Sequence, residues 1–157
     1  MGTQLVAVRA ALIEALAELP EYLAPGPTGQ TPELSFGWRT GWTRREQVWT
    51  QRARFEHEPA SMRATKTFRN EVGYFDLMIR VEGVGLSQQV TSERVAELMT
   101  AAEDFIATHA NWNTGALGDG LYELQVVGDG VLAEELDESG GGRAQINVPI
   151  RYKARLT

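Results

Sequence analysis

The residues able to do chemistry in this chain are few and widely spaced. His57 and His109 are the only imidazoles, and no cysteine is present. His57 stands between Glu56 and Glu58, a triplet whose residue types suit a metal or an acid–base pair. The alternation around it reads as a β-strand, however, and neighbouring side chains of a strand point to opposite faces, so the three cannot converge on one ion. The triplet reads as a solvent-facing strand segment. His109 falls in the last turn of a helix, where a partly cationic ring suits the helix dipole. The absence of cysteine excludes thiolate chemistry and disulfides, and the serines lack the strand–turn–helix context of a nucleophile elbow. Gly118-Asp119-Gly120 and Gly128-Asp129-Gly130 lack the Lys-Ser/Thr of a phosphate-binding loop and read as turns. Trp38, Trp42 and Trp49 lie among Arg39, Arg44, Arg45, Arg52 and Arg54, a mixture that stacks on single-stranded nucleic acid in some proteins. Core tryptophans beside solvated arginines are the commoner arrangement, and an acidic chain argues against tight duplex binding. No catalytic residue, metal ligand or cofactor site emerges.

The elements that would position any such residues are clearer. Phe75, Leu77, Ile79 and Val81 alternate with Asp76, Arg80 and Glu82, the period of a strand with one dry face. Gly83 and Gly85 break that period. From Thr91, Val95, Leu98, Met99, Ala102, Phe105 and Ile106 recur on one helical stripe. A second helix is expected over residues 3–19, with Leu5, Val8, Leu12, Leu16 and Leu19 inward and Pro20 ending it. Residues 20–33, with their prolines and glycines, read as a linker or surface loop. A short strand is expected at Leu34–Trp38. A long one follows at Gln47–Glu58, with Trp49, Ala53 and Phe55 inward and Thr50, Arg52, Arg54 and Glu56 outward. Residues 60–72 have no clean period and are long for a hairpin connection; they read as a projecting arm, strand-like at Thr65–Arg69. Leu121–Val127 reads as a strand, Val131–Asp137 as a strand or a short helix with the strand preferred, Glu134–Arg143 as a flexible acidic tip, and Ala144–Leu156 as a clean alternating strand. In that last strand Pro149 demands a sheet edge or a bulge. The expected fold is a single α+β domain over residues 1–157, a mostly antiparallel sheet with two amphipathic helices on one face.

Composition agrees with a globular domain: 43% of the 157 residues are hydrophobic and 23% charged. No basic–apolar leader or membrane-length apolar run is visible, so a soluble, unprocessed protein is expected. Net charge is −6 but unevenly placed. Residues 39–69 hold eight Arg or Lys against three Glu, and residues 70–143 hold three Arg against fourteen acids. Such segregation favours head-to-tail association of copies unless the fold interleaves the segments.

A series of short motifs occurs in a characteristic order. These are residues 47–58 with Pro59-Ala-Ser-Met62, Phe68-Arg-Asn-Glu71 and Phe75-Asp-Leu-Met-Ile-Arg-Val-Glu-Gly83. They continue with Ser87-Gln-Gln89, Thr91-Ser-Glu-Arg94, Leu124-Gln-Val-Val-Gly-Asp-Gly130 and Pro149-Ile-Arg-Tyr-Lys-Ala-Arg-Leu156. Together they resemble tail-terminator proteins of long-tailed bacteriophages, especially those infecting actinobacteria, over most of the chain. The resemblance implies a non-enzymatic virion protein without cofactors. It would form a ring, as a hexamer, on the head-proximal end of the tail tube, stop tube growth and meet the head-side stopper or connector. Genomic DNA would pass through its lumen without sequence-specific binding, and no membrane would be involved. It would be made in the host cytoplasm and end at the tail–neck junction. On that reading Arg52, Arg54, Arg63, Lys66, Phe68 and Arg69 are expected to contact a neighbouring subunit or the tube. Glu134, Glu135, Asp137 and Glu138 are expected to line the lumen, where negative charge lets DNA slide. Another neck or tail protein (stopper, adaptor or tube protein) and an unrelated α+β ligand-binding domain are the alternatives.

Overall fold

A computed structural model describes residues 3–58, 61–63, 66–108, 121–136 and 140–156. The chain runs α1 (Leu5–Leu16), α2 (Pro20–Leu23), β1 (Glu33–Leu34), β2 (Glu46–His57), β3 (Ser61–Arg63) and β4 (Lys66–Gly83). It continues through α3 (Gln88–Thr108), β5 (Leu121–Val126), β6 (Leu132–Leu136) and β7 (Gly142–Leu156). The fold is α+β. Strand order is β1-β2-β4-β7-β5, with β6 also on β7 and β3 on β4; only β1–β2 is parallel.

The two strands with the cleanest alternation, β4 and β7, are neighbours at the centre. Their register sets Phe75 opposite Ile150, Leu77 opposite Val148, Ile79 opposite Ile146 and Val81 opposite Ala144. At these four positions apolar residues of the two strands meet, the pairing that stabilises a sheet face. Val95, Leu98, Ala102 and Ile106 of α3 and Leu5, Val8, Leu12 and Leu16 of α1 join the same core. A twelve-residue helix is marginal alone in water. Each buried Leu or Val of its stripe contributes about 1.5–3 kcal/mol, which is what fixes α1.

Several local expectations change. The first helix ends at Leu16, and Pro20 opens α2, where a missing N–H leaves nothing unpaired. Tyr22 of α2 is buried and donates to the Leu98 carbonyl at 2.9 Å, so residues 20–33 are fastened to the domain and are not a linker. In β2 the register slips by one residue between Gln51 and Arg54, around Arg52 at φ +55°. The bulge places Trp49, opposite Met78, on the outer face, while Phe55, opposite Gly73, lies on the helix-side face and is exposed. Thr50 is buried: Arg9 donates to its hydroxyl at 2.7 Å, and that hydroxyl donates to the Phe36 carbonyl at 2.5 Å.

Pro149 is explained by a bulge and not by an edge. Strand β7 has β4 on one side and β5 followed by β6 on the other. The Pro149 carbonyl accepts from Val127 N–H at 2.9 Å, so its nitrogen faces the same side, where residues 127–131 interrupt the ladder between β5 and β6. Glu134–Leu136 is strand, with Leu136 opposite Gly142, so these three residues and Gly142–Arg143 belong to the sheet and not to a flexible tip. Asp137 and Glu138 lie outside the described residues, as do His109 and Gly118–Gly120.

Candidate functional site

The expected arm is a continuation of the central hairpin. Strand β2 pairs with β4 as far as His57–Glu71, and β3 resumes with Ser61 opposite Phe68 and Arg63 opposite Lys66. The last β4–β7 pair is Arg69–Leu156. From Lys66 to Phe68, β4 therefore has β3 as its only ladder partner among the described residues, and there the hairpin outruns the sheet as a two-stranded ribbon. Its sequence carries Arg63, Lys66, Phe68 and Arg69. Arg52 and Arg54, grouped with them by type, lie in the main sheet. Arg54 sits over the Tyr74 ring at 4.3 Å, and Arg52 is 3.9 Å from Asp76. The structure thus separates these two arginines from the ribbon.

At the base of the ribbon is a cluster that the sequence did not reveal. Glu71 is fully buried. Its Oε2 meets His57 Nε2 at 2.8 Å across the ladder. Its Oε1 accepts from the Tyr152 hydroxyl at 2.5 Å, Gln4 N–H at 2.9 Å and the Thr3 hydroxyl at 3.0 Å. Tyr152 reaches it by lying across Gly73, where a Cβ would fall 2.0 Å from the tyrosine ring. Burial pushes the Glu71 carboxyl up, but the hydrogen bonds from Tyr152, His57, Thr3 and Gln4 outweigh it and hold the group below its ordinary value. Burial and the adjacent carboxylate push the Tyr152 phenol up. A Glu–His–Tyr group has the makings of acid–base machinery. Here the chain's own donors occupy both carboxylate oxygens, so the arrangement ties the N-terminus of α1 and the C-terminal strand to the root of the ribbon. His57 is therefore a cross-strand partner of Glu71, and Glu56 and Glu58 do not share its role. No local motif could reveal this, because the partners lie 14, 67, 68 and 81 positions from Glu71.

A second buried charge pair closes the opposite end of the core. Arg94 of α3 bonds Glu46 through Nε, both almost wholly buried, and donates through Nη2 to the carbonyls of Glu21 at 3.2 Å and Ala24 at 3.1 Å. Burial pushes the Glu46 carboxyl up, and the Arg94 contact offsets only part of this. The pair pins the α2–β1 loop.

The tryptophans form their own cluster on the outer face of the sheet. Trp38 and Trp49 meet edge to face at 5.0 Å, and Trp42 lies 5.7 Å from each. Trp49 is buried, whereas Trp38 is 53% exposed. Arg80, outside the basic group considered from sequence, lies over the Trp38 ring at 4.9 Å. The rings pack on one another and on Arg80, with Trp49 covered and Trp38 still open to solvent.

The acidic positions Glu134 and Glu135 lie on β6, whose five residues are all exposed. Glu134 accepts from Ser92 at 3.1 Å, and Glu135 is 3.6 Å from Arg143. The fold therefore interleaves part of the charge: Arg143 also meets Glu82 at 3.1 Å, and Glu123 meets both Arg151 and Lys153. Among the described residues, no three His, Cys, Asp or Glu side chains are grouped to hold a metal, and no helix is long and apolar enough to cross a membrane. No family model matches the chain, and no curated protein matches it in sequence.

Proposed function

We propose that this chain is a structural virion protein of the tail-terminator kind, assembling as a ring that caps the head-proximal end of a phage tail tube. The observation that carries the reading is the ribbon: a basic two-stranded extension, running beyond the sheet and rooted on a buried carboxylate. A ribbon of this kind is marginal in isolation and gains by adding to another sheet. The ordered motifs described above supply the identity of that other surface, a neighbouring subunit or the last ring of the tube. Arg63, Lys66 and Arg69 supply charge for the contact, and the acidic β6 edge of a neighbouring copy offers the complementary surface. Each subunit would then use two different patches, which is how a closed ring is built.

The test is the mass in solution by light scattering, alone and with the cognate tail-tube protein. The expected result is a closed ring, or a monomer that becomes a ring only on tube ends. Long filaments would assign the chain to tube building instead. A monomer indifferent to tubes at all concentrations would reject the reading. Within a ring-forming protein, Arg63→Glu with Lys66→Glu is expected to abolish ring formation or tube attachment. Retention of both would remove the ribbon from the mechanism.

A further inference from the structure

The outer face of the sheet carries a feature that neither the ribbon nor the ring reading uses. Two adjoining hollows lie there, of about 230 Å³ and 130 Å³, both lined by Ala133 and Gln145. The larger is completed by Arg52, Met78, Val131 and Asn147, and the smaller by Arg80, Arg143 and Glu135. The register explains the grouping. Arg80 of β4 lies opposite Gln47 of β2 and Gln145 of β7, and Gln145 in turn lies opposite Ala133 of β6. One row of side chains thus crosses the sheet from a tryptophan cluster to an exposed edge.

The polar groups of this row are biased toward donation. Arg80 gives its Nε–H to Gln47 Oε1 at 2.6 Å, and no carboxylate lies within ion-pair distance of it among the described residues. Arg80 is itself part of the lining of the smaller hollow. Burial lowers its proton affinity, the neighbouring Arg143 charge adds to this, and Glu82 only partly opposes it. The Asn147 amide oxygen is already engaged by Val131 N–H at 2.6 Å, so what Asn147 offers is its NH₂. The other two arginines differ from Arg80 in having acids of their own: Arg52 lies 3.9 Å from Asp76, while Arg143 meets Glu82 and Glu135. A half-buried guanidinium that forms no ion pair among the described residues, set beside amide donors, gains a charge-assisted partner when an oxyanion enters. The planar fork of Arg80, held against Trp38, is pre-oriented for a bidentate contact.

We infer that these hollows form an oxyanion-binding subsite in which Arg80, Gln145 and Asn147 hold a carboxylate or phosphate group, with Met78, Val131 and Ala133 accepting its apolar attachment. Glu135, on the exposed edge of the smaller hollow, opposes the bound charge and is partly neutralised by Arg143. The inference does not depend on the ring reading.

The experiment follows tryptophan emission, which reports on the Arg80–Trp38 stack, and binding heat during titration with inorganic phosphate and, separately, sodium acetate. Sodium chloride keeps ionic strength constant. A saturable response to at least one oxyanion is expected. Arg80→Gln should weaken it by about tenfold or more, the loss of one charge-assisted bidentate contact. Glu135→Gln, at an exposed position where folding is insensitive, should strengthen binding several-fold by removing a like charge. Preference for acetate would assign the site to carboxylates of a protein segment, and preference for phosphate to a phosphoryl ligand. A response reproduced by chloride alone, or saturable binding unchanged in both variants, would overturn the inference. If Arg80→Gln does not fold, the Glu135→Gln comparison decides alone.

Discussion

At the residue scale, Glu71 is the side chain on which most of the distant parts of the chain meet. Its carboxyl titrates below its ordinary value of 4.5 in the folded protein, so the folded state holds the proton less tightly than the unfolded chain does. Its contribution to stability is therefore complete above about pH 4.5 and declines as pH falls through the lower folded value. Glu46 has the opposite sign: its folded value is raised, and its effect disfavours folding as pH rises through that value. Comparing urea unfolding of the wild type with Glu71→Gln isolates the first term. The variant should be less stable by about 1–3 kcal/mol near neutrality, the cost of disturbing a buried hydrogen-bonded charge. The gap should close as the pH is taken below the ordinary carboxylate range. A gap independent of pH would mean that Glu71 is protonated in the fold. Gly73→Ala tests the same cluster sterically. Its Cβ would enter the Tyr152 ring, so a loss of about 1–3 kcal/mol and a lower Tm are expected.

At the scale of elements, Arg94 shows how far a sequence pattern reaches and where it stops. The α3 stripe of Val95, Leu98, Ala102 and Ile106 was legible because a helix repeats every 3.6 residues, and all four are buried. Arg94 beside them reads as a solvated charge, since nothing local announces Glu46, 48 positions away. The same division separates β4 and β7, whose alternation carried their faces, from β2, where one extra residue at Arg52 reversed the phase. A bulge leaves no mark on composition. Nor does the sequence record that Thr50 is sealed beneath Arg9 and Phe36. The Arg94–Glu46 pair fastens α2, the following loop and β2 to α3, and breaking it by Arg94→Met is expected to cost about 3–5 kcal/mol by leaving Glu46 buried without its counter-ion, with only the Thr28 hydroxyl at 3.3 Å. The double variant Glu46→Leu with Arg94→Met should recover most of that loss. A double-mutant cycle read by denaturant midpoints checks both, and a double-variant loss equal to the sum of the two single-variant losses would refute the coupling.

At the scale of the whole molecule, the two ends of the central hairpin are held to different degrees. Within the domain, β4 is held on both sides, by β2 and β7, over an apolar face covered by α1 and α3. Beyond Arg69 its only ladder partner among the described residues is β3, a ribbon too narrow to be stable unaided. The Glu71 cluster lies at the junction and ties the ribbon's root to the start of α1 and to β7. Hydrogen exchange should resolve this gradient. Amides of residues 75–82 and 144–152 should exchange only through global unfolding, and those of 61–63 and 66–68 much faster by local opening. If the ribbon is the docking element, assembly into rings or onto tube ends should slow exchange of 61–63 and 66–68 selectively, since added ladder partners protect those amides. Tyr152→Phe should loosen the junction and speed ribbon exchange in the free protein without altering residues 75–82. Ribbon amides already as protected in the monomer as those of the core, or unchanged on assembly, would separate this hairpin from the assembly contact and return that role to another surface of the domain.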